Sequence, residues 1–450
     1  MRHEILEAHI YVDGKTGCFA HSEEELNIAS AVSFDFDRIT LRIEDYKPTC
    51  ISFCLNVSNA CNLCCDYCFN DKKDGKGMPL DKALPYIDEC FETFPNKEKY
   101  IVDLSGKGEP LLFLKTILEI KKHCDEWSNR LRKEVLVQFV SNGTLLTGNI
   151  AETLQNHGVL FGVSLDGAEY IHDKHRKDAN GNPTYRTILQ SVLAIPHHEY
   201  VGAACTLTKD VFSLNDSLTE LSKVFNTVSY KPARDCTQAF DERSVDFWLE
   251  SYDELLKALL EETLNGDLRR IKVLLNGEDY LGKFIHRAIL NQRVVLRCDA
   301  GLSRFVLDSD GMVYACPASF GKEDFLVGKG SKIDLQKSAD LFERRLNPKE
   351  CAHCDFRHIC GGECPLEKSL VGGVNKNMCR YKSHLILLAM HFALTLFKTN
   401  KQAFSQLQLF CREVDNRKKA DEKLTKFLES HSELSFIEGK RIFDSSQKRY

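Results

Sequence analysis

Residues 51–70, ISFCLNVSNACNLCCDYCFN, run from an apolar stretch straight into four cysteines within eight positions. The first part, ISFCLNVS (51–58), reads as a buried strand. The same kind of run returns as KYIVDLSG (99–106), VLVQFVSNG (135–143), VLFGVSLDG (159–167), YVGAACTLT (200–208) and TVSYKPA (227–233). Amphipathic stretches lie between, such as LDKALPYIDECFETF (80–94), FLKTILEIKKHCDEW (113–127) and TYRTILQSVLAI (184–195). Strand and helix in alternation make a parallel sheet with helical crossovers. Six units suit an α/β fold of the partial (β/α)6, TIM-like barrel type; an open doubly wound sheet is the alternative.

The unusual residues fall just after strands. Cys61, Cys64, Cys65 and Cys68 follow the first, GKGEP (106–110) the second, SNGT (141–144) the third and SLDG (164–167) the fourth. In parallel α/β folds the loops at the carboxyl ends of the strands build the active site. Dispersed motifs are therefore expected to converge on one face.

The bulk properties narrow the class. The 450 residues are 43% hydrophobic and 28% charged, with a net charge of −5, which is ordinary for a globular protein. No basic block points to nucleic acid. The start lacks the apolar run of a signal peptide. The most apolar segment, LILLAMHFALTLF (385–397), is too short to span a bilayer and reads as a buried or amphipathic helix. These features point to a cytoplasmic protein with no membrane or nucleic-acid partner. Nineteen cysteines in such a chain favour metal or redox chemistry over disulfides, and the odd count excludes complete pairing within one chain.

Spacing sorts the first four. Cys61, Cys65 and Cys68 make C-x3-C-x2-C, whereas adjacent Cys64 and Cys65 rarely converge on one ion. A structural zinc site wants four protein ligands, and pairing 61/64 with 65/68 would need a very tight loop. Three thiolates instead suit a four-iron cluster with one iron left open. Cys64 is then expected to turn inward and be replaceable.

CNLCCDYCF resembles the signature of the radical S-adenosylmethionine (SAM) superfamily, whose C-x3-C-x2-C binds a [4Fe–4S] cluster. GKGEP resembles that family's Gly-Gly-Glu-Pro motif, with Lys107 where the first glycine often sits. SNGT resembles its third-strand motif, and SLDG with HDKHR (172–176) the segment that holds the ribose and carboxylate of SAM. The resemblance implies SAM contacts from Phe69, Gly108, Glu109, Pro110, Asn142, Ser164, Asp166 and Arg176. The residue types suit the ligand. A carboxylate can meet its ammonium, an arginine its carboxylate, and glycines admit close backbone approach. In this family one electron from the cluster cleaves SAM, and the resulting 5′-deoxyadenosyl radical abstracts a substrate hydrogen.

A second cysteine region runs from Cys298 through G-x4-C (Gly311–Cys316) to Cys351-x2-Cys354-x5-Cys360-x3-Cys364 and Cys379. A zinc ribbon on the middle four would leave Cys298, Cys316 and Cys379 unexplained. The whole resembles the seven-cysteine SPASM domain, which carries two auxiliary [4Fe–4S] clusters, making three clusters in all. The resemblance implies Cys298, Cys316 and Cys364 for the first auxiliary cluster, and Cys351, Cys354, Cys360 and Cys379 for the second. The first then has three thiolates. Either a substrate thiolate takes the open iron, or Asp299, Cys236 or another free cysteine fills it.

The expected organisation is an extension at 1–48 with a short β-hairpin, the barrel at 49–240, a helical bridge at 241–290, the SPASM domain at 291–384 and terminal helices at 385–450. SPASM enzymes mostly modify peptides. A maturase of a ribosomally made, cysteine-bearing precursor, forming a thioether, is the leading expectation, with flavodoxin or ferredoxin as reductant. The alternatives are C–C cross-linking or epimerisation of such a peptide, an anaerobic sulfatase-maturing enzyme, and a non-catalytic scaffold. Sulfatase maturases carry Asp directly after the cysteine of G-x4-C, where this chain has Pro317. AHIYVDGKTGCFAHSEEE (8–25) resembles peptide-maturase openings but is too short for a leader-binding winged helix. The intact SAM motifs argue against a scaffold. No catalytic side chain is assigned.

Overall fold

The computed structural model describes residues 1–31, 48–68, 70, 74–196, 198, 201–208, 213–233, 242–277, 279–294, 296–344 and 349–418. Phe69, Cys236 and the terminal segment beyond 418 lie outside the described residues. Strands β1 (Arg2–Ile5), β2 (Ala8–Val12) and β3 (Phe19–Ala20) form a small antiparallel sheet. Leu6 and Glu7 both take positive φ between β1 and β2, as a two-residue hairpin turn of matching twist requires.

The large sheet holds β4 (Cys50–Leu55), β5 (Lys99–Asp103), β6 (Glu134–Ser141), β7 (Val159–Ser164), β8 (Gly202–Leu207) and β9 (Val228–Pro232). These six are parallel, and each pairs with the next in sequence. A doubly wound sheet reverses its strand order at a switch point; this one does not, so the singly wound, barrel-like arrangement holds. The expected periodicities are met. Helix Leu80–Thr93 buries Ala83, Tyr86, Ile87, Cys90 and Phe91, and helix Leu114–Leu131 buries Ile117, Ile120, Cys124 and Trp127, the i, i+3, i+4 stripe of a helix laid on a sheet. Their aromatic rings meet under the strands: Phe91 lies 5.0 Å from Tyr100 and 5.1 Å from Trp127. At the strand starts, Lys99 and Glu134 face each other in register and form a buried ion pair at 3.0 Å.

The sheet does not end at β4. Strand β10 (Arg304–Leu307) adds parallel to it, followed by antiparallel β11 (Met312–Tyr314), β12 (Leu326–Lys329) and β13 (Lys332–Ile333). The second cysteine region thus begins as a four-stranded continuation of the barrel sheet, which has ten strands in all, and Phe305 stacks on Phe94 at 5.5 Å within the same core. Helices Glu242–Leu264, Arg269–Asn276, Tyr280–Leu290, Lys376–Thr399 and Lys401–Lys418 pack beside it. Trp248, Tyr252, Tyr280 and Tyr381 interlock edge to face at 5.7–5.9 Å, and Trp248 Nε1 donates to the Thr208 carbonyl at 2.8 Å, fixing the helices to the end of β8. The 385–397 segment lies within Lys376–Thr399 and is mostly buried, with Phe397 exposed, and among the described residues no helix is long and apolar enough to cross a membrane.

A polar strut locks the junction. Asp308, just past β10, accepts from Lys107 Nζ at 2.5 Å and from Asn56 Nδ2 at 2.8 Å. Lys107 also lies 4.5 Å over the Phe320 ring. The lysine standing in place of a glycine in GKGEP is therefore a tie between the second-strand loop and the cysteine-rich region. Removing one partner of a buried pair leaves an uncompensated charge. Asp308→Ala and Lys107→Met are each expected to cost about 3–5 kcal/mol, read as a lower urea midpoint of the full-length chain, because each strands the other partner's charge, whereas the double variant Lys107→Met/Asp308→Leu should cost clearly less because no charge is left unpaired.

Candidate active site

The loops after β4, β5, β6 and β7 meet at one end of the sheet. Cys61, Cys65 and Cys68 are half-buried, while Cys64 is exposed. The expectation that Cys64 turns inward is thus corrected. The Cys64 N–H donates to the Lys177 carbonyl and Leu63 bridges to Asp178, so the backbone hydrogen bonds of this edge face the protein and the Cys64 side chain faces out. The Cys68 N–H donates to the Cys65 carbonyl at 3.2 Å, closing a turn between these two thiols. Burial pushes the Cys65 thiol up to about 11; Arg176 opposes the rise, and Cys68, Asp166 and Cys61 add to it. Cys61 and Cys68 therefore both lie within electrostatic reach of Cys65. Among the described residues no three His, Cys, Asp or Glu side chains are grouped to hold a single metal ion.

The GKGEP loop presses onto this cysteine loop. A Cβ at Gly106 would lie 2.0 Å from Asn56 Oδ1, and one at Gly108 would lie 2.2 Å from the Ala60 carbonyl. No side chain fits at either position. Here the glycines answer an approach of two segments of this chain. The Glu109 N–H donates to the Ala60 carbonyl at 2.7 Å, and Pro110 opens a short helical turn, Pro110–Phe113. Glu109 is buried. Its carboxylate accepts from Leu111 N, Ser141 Oγ and Asn142 N at 3.0, 2.8 and 2.6 Å. Burial raises its pKa, with these donors holding the rise down. Asn142 in turn donates to Asn62 Oδ1 at 2.8 Å and approaches Cys61 Sγ at 3.8 Å.

Opposite stands a buried ion pair. Arg176 Nε and Nη2 donate to the two oxygens of Asp166 at 2.7 and 3.2 Å. Asp166 also accepts from the Thr206 N–H at 2.8 Å and from the Tyr67 hydroxyl. Burial disfavours the Asp166 charge, but Arg176 outweighs it and holds the carboxyl below its usual range. Burial opposes the Arg176 charge too, and Asp166 more than restores it. Ser164, half-buried, ends β7 in register with Ala204. Glu109, Asn142, Asp166 and Arg176 are therefore gathered round the cysteine loop, with Arg176 engaged by Asp166.

Sequence reasoning did not single out Tyr67, Asp66, His172, His175 or Thr206. His175 Nδ1 meets Asp66 at 2.8 Å and so pins the cysteine loop from the other side. His172 accepts the Asp166 N–H at Nδ1 (3.2 Å) and contacts Thr184 Oγ1 through Nε2 at 3.0 Å. The Thr184 hydroxyl donates elsewhere, to the Arg176 carbonyl, so Nε2 carries the hydrogen and the ring is neutral. The histidines in HDKHR and the aromatic between the last two cysteines were the available signals.

In the second region Cys298, Cys316, Cys351, Cys354, Cys360, Cys364 and Cys379 are all half-buried. Burial pushes Cys351 up to about 11, with Cys354, Cys360 and Cys379 adding to the rise. Burial also raises Cys364, which Arg297 opposes and Cys316 reinforces. The Arg297 N–H, next to Cys298, donates to the Gly361 carbonyl at 2.8 Å. The Asp299 carboxylate takes the Ser303 hydroxyl within its own turn.

His172 yields a pH test. Burial holds its pKa at about 4, against an ordinary value of 6.5. A depressed folded pKa gives stability that is complete above pH 6.5 and is lost as pH falls toward 4, where the unfolded chain takes up a proton that the fold refuses. The stability advantage of the native chain over His172→Gln should shrink by on the order of 3 kcal/mol between pH 7 and pH 4. Urea midpoints at both pH values measure it, and a constant difference would mean a protonated ring in the fold.

Comparison with known proteins agrees with this layout. Residues 55–201 match the family model of the radical SAM superfamily. The radical SAM cyclopropyl synthase TigE of Paramaledivibacter caminithermalis is 24% identical over 69% of this chain and 66% of its own length. The serine-type anaerobic sulfatase-maturating enzyme of Klebsiella aerogenes is 23% identical over 79% of this chain and 88% of its own. The solved structure of native anSMEcpe with bound AdoMet and Kp18Cys peptide superposes with a TM-score of 0.63 at 18% identity, covering 78% of this chain and 99% of that one. The chain thus contains a radical SAM domain over residues 55–201 and is homologous to the anaerobic sulfatase-maturating enzymes and to the radical SAM cyclopropyl synthase TigE.

Proposed function

We propose that the chain modifies a cysteine-bearing precursor peptide, forming a thioether between the cysteine sulfur and a carbon of the same peptide. The observation that carries this reading is the convergence of the cysteine loop, Glu109, Asn142 and the Asp166–Arg176 pair at the carboxyl ends of four successive parallel strands. Cys61, Cys65 and Cys68 fit a [4Fe–4S] cluster with an open iron. They are soft donors, half-buried, and Cys61 and Cys68 both act electrostatically on Cys65.

When bound, the cluster and SAM supply the hydrogen-abstracting 5′-deoxyadenosyl group, and further clusters an acceptor for the electron that the peptide loses. The protein's own share is positioning. Glu109 keeps a carboxylate beside the loop for an ammonium group. Arg176 brings a guanidinium that Asp166 orients, Asn142 sets the Cys61 side of the loop, and Gly108 lets the backbone close over it. The proposed ligands of two auxiliary clusters are Cys298, Cys316 and Cys364, and Cys351, Cys354, Cys360 and Cys379. Asp299 is engaged by Ser303, which favours an open iron for a substrate thiolate at the first. A flavodoxin- or ferredoxin-type protein would supply the reducing electron.

Thioether formation takes one hydrogen atom from carbon, one proton from sulfur and one electron, so the peptide loses two hydrogens per linkage. The second reading, formylglycine formation, is favoured by the named sulfatase-maturating relatives. Pro317 in place of an Asp counts against it. Anaerobic reconstitution with iron, sulfide, dithionite, SAM and a cysteine-bearing precursor, followed by mass spectrometry, decides between them. Loss of two hydrogens with the sulfur retained supports the thioether. Exchange of cysteine sulfur for an aldehyde oxygen on a sulfatase peptide would sink it.

The ligand trio has its own check. Cys64→Ser is expected to keep the SAM-dependent cluster signal, whereas serine at Cys61, Cys65 or Cys68 should abolish SAM cleavage. Loss of the cluster in Cys64→Ser would mean that the trio is wrongly chosen.

A further inference from the structure

Helix Lys376–Thr399 carries Cys379 in its first turn and Lys382 one turn later on the same face. Lys382 is 2% exposed, and its Nζ has no hydrogen-bond partner. Arg297 Nη1 and Glu367 Oε2 are likewise buried without partners. Arg297 and Lys382 repel each other, and the anionic or acidic groups within reach of Lys382 are Cys360, Glu367 and Cys364. Cys379 and Glu363 also feel its charge, and Arg297 acts on Cys364. The lysine therefore stands between thiols of both proposed auxiliary sets, Cys364 of one and Cys360 and Cys379 of the other.

A buried, unpaired ammonium costs several kcal/mol. Two cations side by side cost more, unless negative charge faces them. Glu363 is committed in part, accepting the Asn375 N–H at 2.5 Å. Thiols in this setting are neutral until a metal takes their protons. A cluster ligated by cysteine thiolates brings net negative charge into this pocket, and its potential responds to nearby charge, hydrogen bonds and exposure.

We propose that Lys382, with Arg297 beside it, is the charge-compensating and potential-setting residue of the second cysteine region. Its positive charge favours the reduced, more negative state of the auxiliary clusters. This inference rests on the reading that the second region holds such clusters.

The test uses the full chain reconstituted anaerobically, with redox titrations followed by electron paramagnetic resonance. In Lys382→Met and Lys382→Gln the auxiliary midpoint should move negative. The reduced-to-oxidised ratio at a fixed poise should fall about tenfold, about 59 mV for a one-electron couple. The cluster whose signal responds to SAM should keep its midpoint, and Lys382→Arg should restore the auxiliary value. An unmoved auxiliary midpoint at full iron content overturns the proposal and assigns Lys382 to Glu367. If both neutral variants lose auxiliary iron while Lys382→Arg retains it, the charge requirement stands; if Lys382→Arg loses it too, shape is at stake and the proposal falls. Native iron of about four atoms per chain, rather than about twelve, would instead remove the cluster reading beneath it.

Discussion

The geometry of the candidate site hangs on one carboxylate, Asp166. It accepts from Arg176, Thr206 and Tyr67, which come from the segment after β7, from β8 and from the cysteine loop. Without a buried cation this group would be expensive to place where it is, and without the carboxylate so would Arg176. Each makes the other tolerable, and together they draw three separate stretches of chain to one point. The pair is poor evidence for net stability, since buried ion pairs often do no better than apolar replacements. Its value lies in direction. Fully satisfied polar networks admit few alternative arrangements, and here the network sets where Tyr67, and so the turn between Cys65 and Cys68, can sit.

The fold was legible to the extent that it is periodic. Six strand-like runs and their crossover helices were readable because each buries one face. Residues such as Ile87 and Phe91, or Ile117 and Ile120, must recur at helical spacing to do so. What sequence could not supply was the far edge of the sheet. Nothing local to Arg304–Leu307 says that it pairs with β4 rather than with another hairpin. That choice depends on long-range contacts such as Phe305 on Phe94 and Asp308 with Lys107. The motif residues were findable because their types are unusual after strands. Their partners were not, because Tyr67, His172 and Thr206 are ordinary residues until the fold brings them to Asp166. Cys64 shows the same limit: its sidedness follows from its backbone bond to Lys177, which no spacing rule contains.

GKGEP shows how one short motif can meet two demands. Its glycines are forced by the chain's own packing, since Asn56 and the Ala60 carbonyl occupy the space that a Cβ would need. Its lysine, by contrast, reaches away from the cysteine loop to Asp308 and Phe320. Asn56 belongs to both arrangements, accepting from the Lys107 N–H at 2.8 Å and donating to Asp308. A displacement at β10 is therefore transmitted to the loop carrying Glu109 through a few short polar contacts, with little slack to absorb it. The barrel and the cysteine-rich region behave as one mechanical unit at this seam, which their shared sheet also requires.

The same tension recurs at both groups of cysteines. Half-burial protects a thiol-bound cofactor from water, yet it also disfavours the thiolate that must bind it. Cys65 and Cys351 are both pushed up to about 11, burial being the first cause. At neutral pH such groups hold their protons, and loading a metal centre has to expel them. Positive charge near the thiols lowers that barrier. Arg176 opposes the rise at Cys65, Arg297 at Cys364 and Lys382 at Cys379. Arg176 is itself held in place by Asp166, so its help to Cys65 is partly offset by that carboxylate, which raises the same thiol. Arg297 and Lys382 have no such fixed partner on the atoms left unbonded. Of the two groups, the second is therefore the one whose electrostatics are left most incomplete by the protein alone, and the one most changed when anionic sulfur occupies it.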